Sequence, residues 1–269
     1  MHRIIRLYRL FNILSLDIVA GAVISAMFFA KLLGVAILSY GLMALGLTVW
    51  IIYTADHLRD AKAIGKQAAS ERHRFHQKHF MVLFVLMVVA LAADTIIIFF
   101  IRKQVFMWGL FLAALVAVYL LGQRYLKFLK EIFIAVLYTA GVLLPSLSVT
   151  KLSITSVHMV LIMQFGLTAL TNLLMFSWFD SDTDTADKLS SFVTVLGRRF
   201  TAYCIWTLLV VNFALGVVLC LTSGCSGPVF IFWAMNAVLL LIFIFRHKLV
   251  PYYRLTGDAV FLIPGIYLL

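Results

Sequence analysis

Residues 80–101 read FMVLFVLMVVALAADTIIIFFI, twenty-two positions with a single charge, Asp94. A helix of about 20 apolar residues crosses the hydrocarbon core of a bilayer. Comparable runs lie at about 10–31, 34–55, 105–122, 132–150, 156–178, 201–222, 228–245 and 258–269; the last is short and holds Pro264. They are continuous rather than alternating, which argues against a β-barrel. Lipid offers backbone groups no water, so each run is expected to be helical. The expectation is an all-α polytopic membrane bundle of about nine transmembrane helices, forming one domain over 1–269. The whole chain agrees: 64% of its 269 residues are hydrophobic, only 22 are Lys or Arg and 11 Asp or Glu, and mean hydropathy is +1.07. A soluble domain is about half apolar and a quarter charged. Disorder, a collagen-like fibre and a small disulfide scaffold are excluded by the same composition.

The basic residues orient this map. Counting from the N-terminal side, the terminus and the loops at 56–79, 123–131, 179–200 and 246–257 hold eighteen of the 22 Lys and Arg. The opposite side holds Lys31, Arg102, Lys103 and Lys151. Positive charge stays in the cytoplasm, so the N-terminus and the long polar loops are expected there. The net charge of +11 then reflects topology, and no nucleic-acid partner is inferred. The N-terminal Arg3, Arg6 and Arg9 before an apolar run mimic a signal peptide. Asp17 interrupts that run, however, and it continues past Ala20-Gly21-Ala22, so a retained first span is expected. Cys220 and Cys225 fall near the outer loop and are either a disulfide, if that side is oxidising, or two free thiols.

Acids are scarce, and six of them form two clusters. Tyr53-Thr54-Ala55-Asp56-His57-Leu58-Arg59-Asp60-Ala61-Lys62 follows the second span, and Trp178-Phe179-Asp180-Ser181-Asp182-Thr183-Asp184-Thr185-Ala186-Asp187-Lys188 follows the sixth. Each contains Asp-x-x-x-Asp, which places both carboxylates on one helix face. The clusters lie four spans apart, so the chain reads as two weakly related halves, about 1–125 and 126–269. Facing acid pairs repel unless a cation sits between them. Mg²⁺ takes oxygen ligands and shares them with phosphate. The pattern therefore points to Mg²⁺ and a diphosphate at the membrane surface; two solvated loops of mixed charge are the plainer alternative.

These residues resemble the UbiA-type intramembrane prenyltransferases. The match is most specific at Asp180-x-x-x-Asp184-x-x-x-Lys188-x-x-Ser191-x-x-x-Val195-x-Gly197-Arg198. The first cluster matches in part: Asp56 and Asp60 fit the last two acids of the family's Asn-Asp/Glu-x-x-Asp-x-x-x-Asp, while Ile52 and Tyr53 stand in place of its Asn and first acid. Softer matches are Arg9-x-x-Asn12, Tyr138-Thr139 in span five, and the Lys127/Lys130-Glu131 loop. The resemblance implies a nine-helix bundle with a central cavity open to membrane lipid, where Mg²⁺ on Asp56, Asp60, Asp180 and Asp184 holds a polyprenyl diphosphate. Its C–O bond breaks and an aromatic or other lipid-phase acceptor, whose identity the sequence leaves open, captures the allylic cation. Diphosphate contacts are expected from Asn12, Arg59, Lys62, Arg72, Arg74, Lys127, Lys130, Lys188 and Arg198, with Tyr138 deeper. Tyr53, Trp178 and Phe179 offer aromatic faces to a cation, or anchor the chain at the interface.

Two other readings compete. One is a non-catalytic isoprenoid-lipid binder or transporter, suggested by Ile52 and Tyr53. The other is a metal enzyme centred on His73, His76 and His79, although the surrounding Arg and Lys favour a basic interfacial helix. Asp17 lies at cavity depth, facing the acceptor; Asp94 is expected to reach toward water at the outer face.

Overall fold

The apolar runs form helices because, out of water, each backbone N–H and C=O must find its partner within the segment. The computed structural model describes residues 2–64, 66–224, 226–250 and 252–269, side chains at 2–5 and 124 excepted. Cys225, the candidate partner of Cys220, lies outside them. Every regular element among these residues is helical. The order is α1 (His2–Ile13), α2 (Leu16–Leu32), α3 (Ser39–Ala63), α4 (Glu71–Lys78), α5 (Phe80–Ile97), α6 (Lys103–Leu126), α7 (Lys130–Leu147), α8 (Ser156–Asp187), α9 (Phe192–Leu196), α10 (Arg198–Ser223), α11 (Gly227–Ile244), α12 (Arg246–Leu249) and α13 (Tyr253–Ala259). A 3₁₀ helix, Val260–Leu268, follows α13.

Seven of the helices are long and apolar enough to cross a membrane: α3, α5, α6, α7, α8, α10 and α11. The bent pair α1–α2 makes an eighth candidate, and the expected span at 258–269 is the 3₁₀ segment. The chain is an integral membrane protein. At 1.5 Å per residue the 32 residues of α8 reach about 48 Å and the 25 of α3 about 38 Å. Both overrun a hydrocarbon core of about 30 Å, so their last turns stand clear of lipid and carry the acid pairs.

The expected first span, 10–31, is not one straight helix. Ser15 takes a left-handed φ of 57°, and α1 meets α2 at 75°. Left-handed backbone costs a non-glycine residue roughly 1–2 kcal/mol; Ser15 is fully buried and its hydroxyl lies 3.3 Å from His57 Nε2. The bend turns Asn12 inward. Beneath it the core is aromatic: Phe28 and Phe29 contact each other edge-on, Phe28 meets Phe232, and Phe29 meets Phe165. The helix α2 packs against α3, α7 and the 3₁₀ segment, and α8 packs against α7, α10 and α11. The apolar faces of α5 and α6 look outward.

Candidate active site

The last turns of α3 and α8 face one hollow of about 380 Å³, and Asp56, Asp60, Asp180 and Asp184 all line it. Each carboxylate has a neighbour. Asp56 accepts a 2.8 Å hydrogen bond from the Gln123 amide. Asp60 lies 3.7 Å from Lys130 Nζ and 3.3 Å from Arg59. Asp180 accepts from the Arg254 guanidinium and from the Tyr253 hydroxyl. Asp184 faces Ser191.

A short cap covers the hollow. Ser70 caps α4 by accepting from the His73 N–H at 3.1 Å. The end of α8 reaches the same loop: Asp187 accepts from the Ala69 N–H at 2.9 Å. Gln77 donates to the Lys66 carbonyl at 2.9 Å and accepts from the Ala68 N–H at 3.0 Å. Capped so, α4 lowers Arg72 into the cavity. Arg72 is 9% exposed; it donates to Asn12 Oδ1 at 3.2 Å and lies 3.3 Å from His57 Nε2 and 4.0 Å from Asp258. Burial pulls its guanidinium below the usual arginine value, and Arg254 adds to this. Burial works against the charge of Arg254 too, but Asp180 and Tyr253 hold it above the usual value. Burial pulls His73 down and His76 down to about 4.

Of the positions expected from sequence, Asn12, Lys130, Arg72 and Tyr138 line the cavity with the four aspartates. Others do not. Arg59 runs beside Asp56 and Asp60 and donates to the Leu120 carbonyl. Arg74 is spent on the carbonyls of Ala68 and Ala69. Lys62, Lys127 and Lys188 are exposed, the last two at positive φ where their helices begin or end. Arg198 pairs with Asp182 at 2.9 Å and, like Arg246, lies 5.6 Å from the centre of the Trp178 ring. Phe179 stacks on Tyr253. His73 lines the cavity, yet among the described residues no three His, Cys, Asp or Glu are grouped to hold a metal ion. Asp94 does not reach toward water; Thr48 on the neighbouring α3 donates to it at 2.8 Å.

Residues that sequence reasoning missed come from the C-terminal segment. Tyr253, Arg254 and Asp258 line the hollow. The signal was present: Arg254-x-x-x-Asp258 repeats the four-residue spacing of the acid pairs at the head of an apolar run. Gly257 seats this helix, since a Cβ there would stand 2.6 Å from Asn172 Oδ1 and 2.7 Å from the Phe176 ring. The floor below is aromatic, with Tyr138, Phe165 and Phe261 in mutual contact.

The donor set suits a hard cation. Four carboxylates from two stretches share the cavity, and Mg²⁺ binds through one or two carboxylates plus phosphate oxygens. Because no cluster among the described residues is closed enough to hold a metal alone, a metal here would complete its shell with diphosphate and water.

Comparison with solved structures decides the fold. A UbiA homolog from Archaeoglobus fulgidus bound to GPP and Mg²⁺ superposes with a TM-score of 0.67 at 13% identity, over 96% of this chain and 98% of that one. The chain has the UbiA fold. The same archaeal homolog bound to DMAPP and Mg²⁺ gives a TM-score of 0.64 at 13% identity, covering 96% and 99%. The apo UbiA homolog from Aeropyrum pernix K1 gives 0.67 at 13%, covering 96% of each. No sequence-family profile matches the chain, and no curated protein matches it. Within this UbiA fold, Tyr53 presents its ring to the cavity and Ile52 does not line it.

Proposed function

We propose that the protein is a magnesium-dependent intramembrane prenyltransferase that moves a prenyl group from a polyprenyl diphosphate to a hydrophobic acceptor. The observation that carries this reading is the shared hollow: two acid pairs from distant stretches, four cations (Arg9, Arg72, Lys130 and Arg254) and the rings of Tyr53, Tyr138 and Phe261 line one cavity. The solved structures of this fold that bind GPP or DMAPP with Mg²⁺ support it. The N-terminus and the acid pairs face the cytoplasm in this reading.

Asp56, Asp60, Asp180 and Asp184 would hold Mg²⁺. Bound there, the metal neutralises the diphosphate and makes it a better leaving group. Arg72 and Lys130 sit where charge grows on the departing oxygens, fixed by packing rather than by solvent, and such preorganised charge is worth most in a dry site. Tyr53, Tyr138 and Phe261 turn electron-rich rings toward the positive carbon, about 0.5–2 kcal/mol each. The α4 cap excludes water that would otherwise trap the cation as an alcohol. The prenyl tail lies along the apolar lining of Ile18, Leu173 and Phe261.

The test is transfer of labelled geranyl groups from geranyl diphosphate to a lipid extract by the purified protein with Mg²⁺. Asp184→Asn and Asp56→Asn should each lower transfer by about 10²–10³-fold while the protein stays folded; unchanged turnover in both would reject the site. A second reading, a carrier that binds prenyl diphosphate lipids without ionising them, draws support from Asp180, already matched by Arg254 and Tyr253. It predicts thermal stabilisation by geranyl diphosphate and Mg²⁺ without diphosphate release.

A further inference from the structure

Beside the four aspartates lies a second acidic group that the donor reading leaves unused. Asn12 donates from one amide nitrogen to two carboxylates, Asp17 and, at 2.8 Å, Asp258. The three residues come from α1, α2 and α13, brought together by the bend at Ser15 and the close seat of Gly257. All three are buried: Asn12 is 4% exposed, Asp17 0% and Asp258 3%. Burying two carboxylates on one amide is costly, and packing alone gives no reason for it. Asp17 Oδ1 is satisfied by the Ile18 N–H at 2.9 Å. Asp258 lines the cavity. Arg72 lies 4.0 Å away and already donates to Asn12, and Arg254, whose charge also reaches Asp258, is held by Asp180.

The neighbouring lining also carries unpaired polar atoms. Asn172, 4% exposed, has a buried Oδ1 without a hydrogen-bond partner, and so has the Tyr138 hydroxyl. Both residues line the same cavity. Buried polar atoms of native proteins are nearly always paired, so orphans on a cavity wall point to a ligand. A wall of carboxylate and amide oxygens takes a group that brings a proton. A carboxylate placed directly against Asp258 would meet like charge.

We propose that this end of the cavity is the acceptor subsite, that it takes a neutral molecule bearing an O–H or N–H, and that Asp258 is the base that removes its proton. The step balances. The C1–O bond of the prenyl diphosphate breaks and its electron pair leaves with the diphosphate. The acceptor's electron pair forms the new bond to C1, and the acceptor's proton passes to Asp258, which becomes neutral. Asp17 and Asn12 are positioning residues that hold the Asp258 carboxylate in place. The inference rests on the prenyltransferase reading and specifies its acceptor.

Two measurements on the full chain test it, both with geranyl diphosphate, Mg²⁺ and a lipid extract from cells lacking the protein. In the first, Asp258→Asn is compared with wild type. A general base contributes about 10²–10⁴-fold, so transfer should fall at least a hundredfold, while geranyl diphosphate and Mg²⁺ still raise its melting temperature as in wild type. Transfer at the wild-type rate overturns the proposal. Loss of the thermal shift together with transfer also overturns it, because Asp258 would then serve the donor end. The second uses wild-type protein alone and so does not depend on how the variant folds. 4-Hydroxybenzyl alcohol should compete with the extract, and 4-hydroxybenzoate, the same ring with a carboxylate, should not; equal competition overturns the proposal. Wild-type protein that shows neither shift nor transfer would instead reject the donor assignment.

Discussion

At the scale of single residues, a few atoms set the shape of the cavity. Gly257 is one. A methyl group there has no room against Asn172 and Phe176, and overpacking of this kind costs about 1–3 kcal/mol. Gly257→Ala should lower the melting temperature in detergent and also weaken transfer, because α13 carries Arg254 and Asp258 on either side of the clash. Ser15 is another: its left-handed backbone is what faces Asn12 inward. That conformation was not legible in the sequence, since Ser15 sits inside a run whose hydrophobicity reads as one continuous span. The aspartates were legible because acids are rare in this composition and their four-residue spacing names a helix face. Their partners were not. Lysines and arginines are common on the basic side, and which of them turn inward depends on loop geometry; Lys62 and Lys188 point out, while Arg254, sequence-distant from both acid pairs, turns in.

At the scale of elements, the cap is the part most open to solvent conditions. The Asp187 carboxylate joins the end of α8 to the loop before α4. Asp187→Ala leaves the Ala69 N–H without that partner, at about 1–3 kcal/mol of local stability. Hydrogen exchange over 66–78 should speed up in that variant with little change in α10 or α11. Acid should do the same. His76 is 2% exposed and stays neutral in the fold down to about 4, whereas an unfolded histidine takes up a proton near pH 6.5. Between those values the unfolded cap binds more protons than the folded one, so its stability falls as pH drops from about 6.5 toward 4 and is flat above. Exchange rates at pH 7.5 and pH 5 would measure this; a cap equally protected at both would contradict the buried neutral histidine. His76→Gln should flatten the dependence. The histidine run was legible as a basic helix, but its spacing of three did not tell which ring is buried; the fold does, because Arg72 and His76 lie one turn apart on the inner face of α4.

At the scale of the whole molecule, the bundle was almost fully readable. Nine apolar runs became helical segments at nearly the expected places, because the bilayer requirement acts on length and composition, both visible in a linear chain. The ends of the bundle were harder, as the first run is broken at Ser15 and the last is a 3₁₀ helix holding Pro264. The charge asymmetry yields a prediction at this scale. In a variant without its native cysteines, Lys66→Cys should react with a membrane-impermeant maleimide only from the cytoplasmic face, and Thr150→Cys only from the opposite one. Labelling in the reverse sense would invert the orientation and place the donor site outside the cell.

The hydrogen bond between Asn12 and Asp258 ties residues 246 positions apart. A ribosome releases the first of these long before the last, so for most of synthesis the growing protein sits in lipid as an open bundle lacking Arg254 and Asp258. Segment 253–268 works as a closing stitch. In the proposed prenyltransferase reading, a copy interrupted or clipped upstream of it would keep its apolar spans yet lack Arg254 and Asp258, and is expected to transfer no prenyl group.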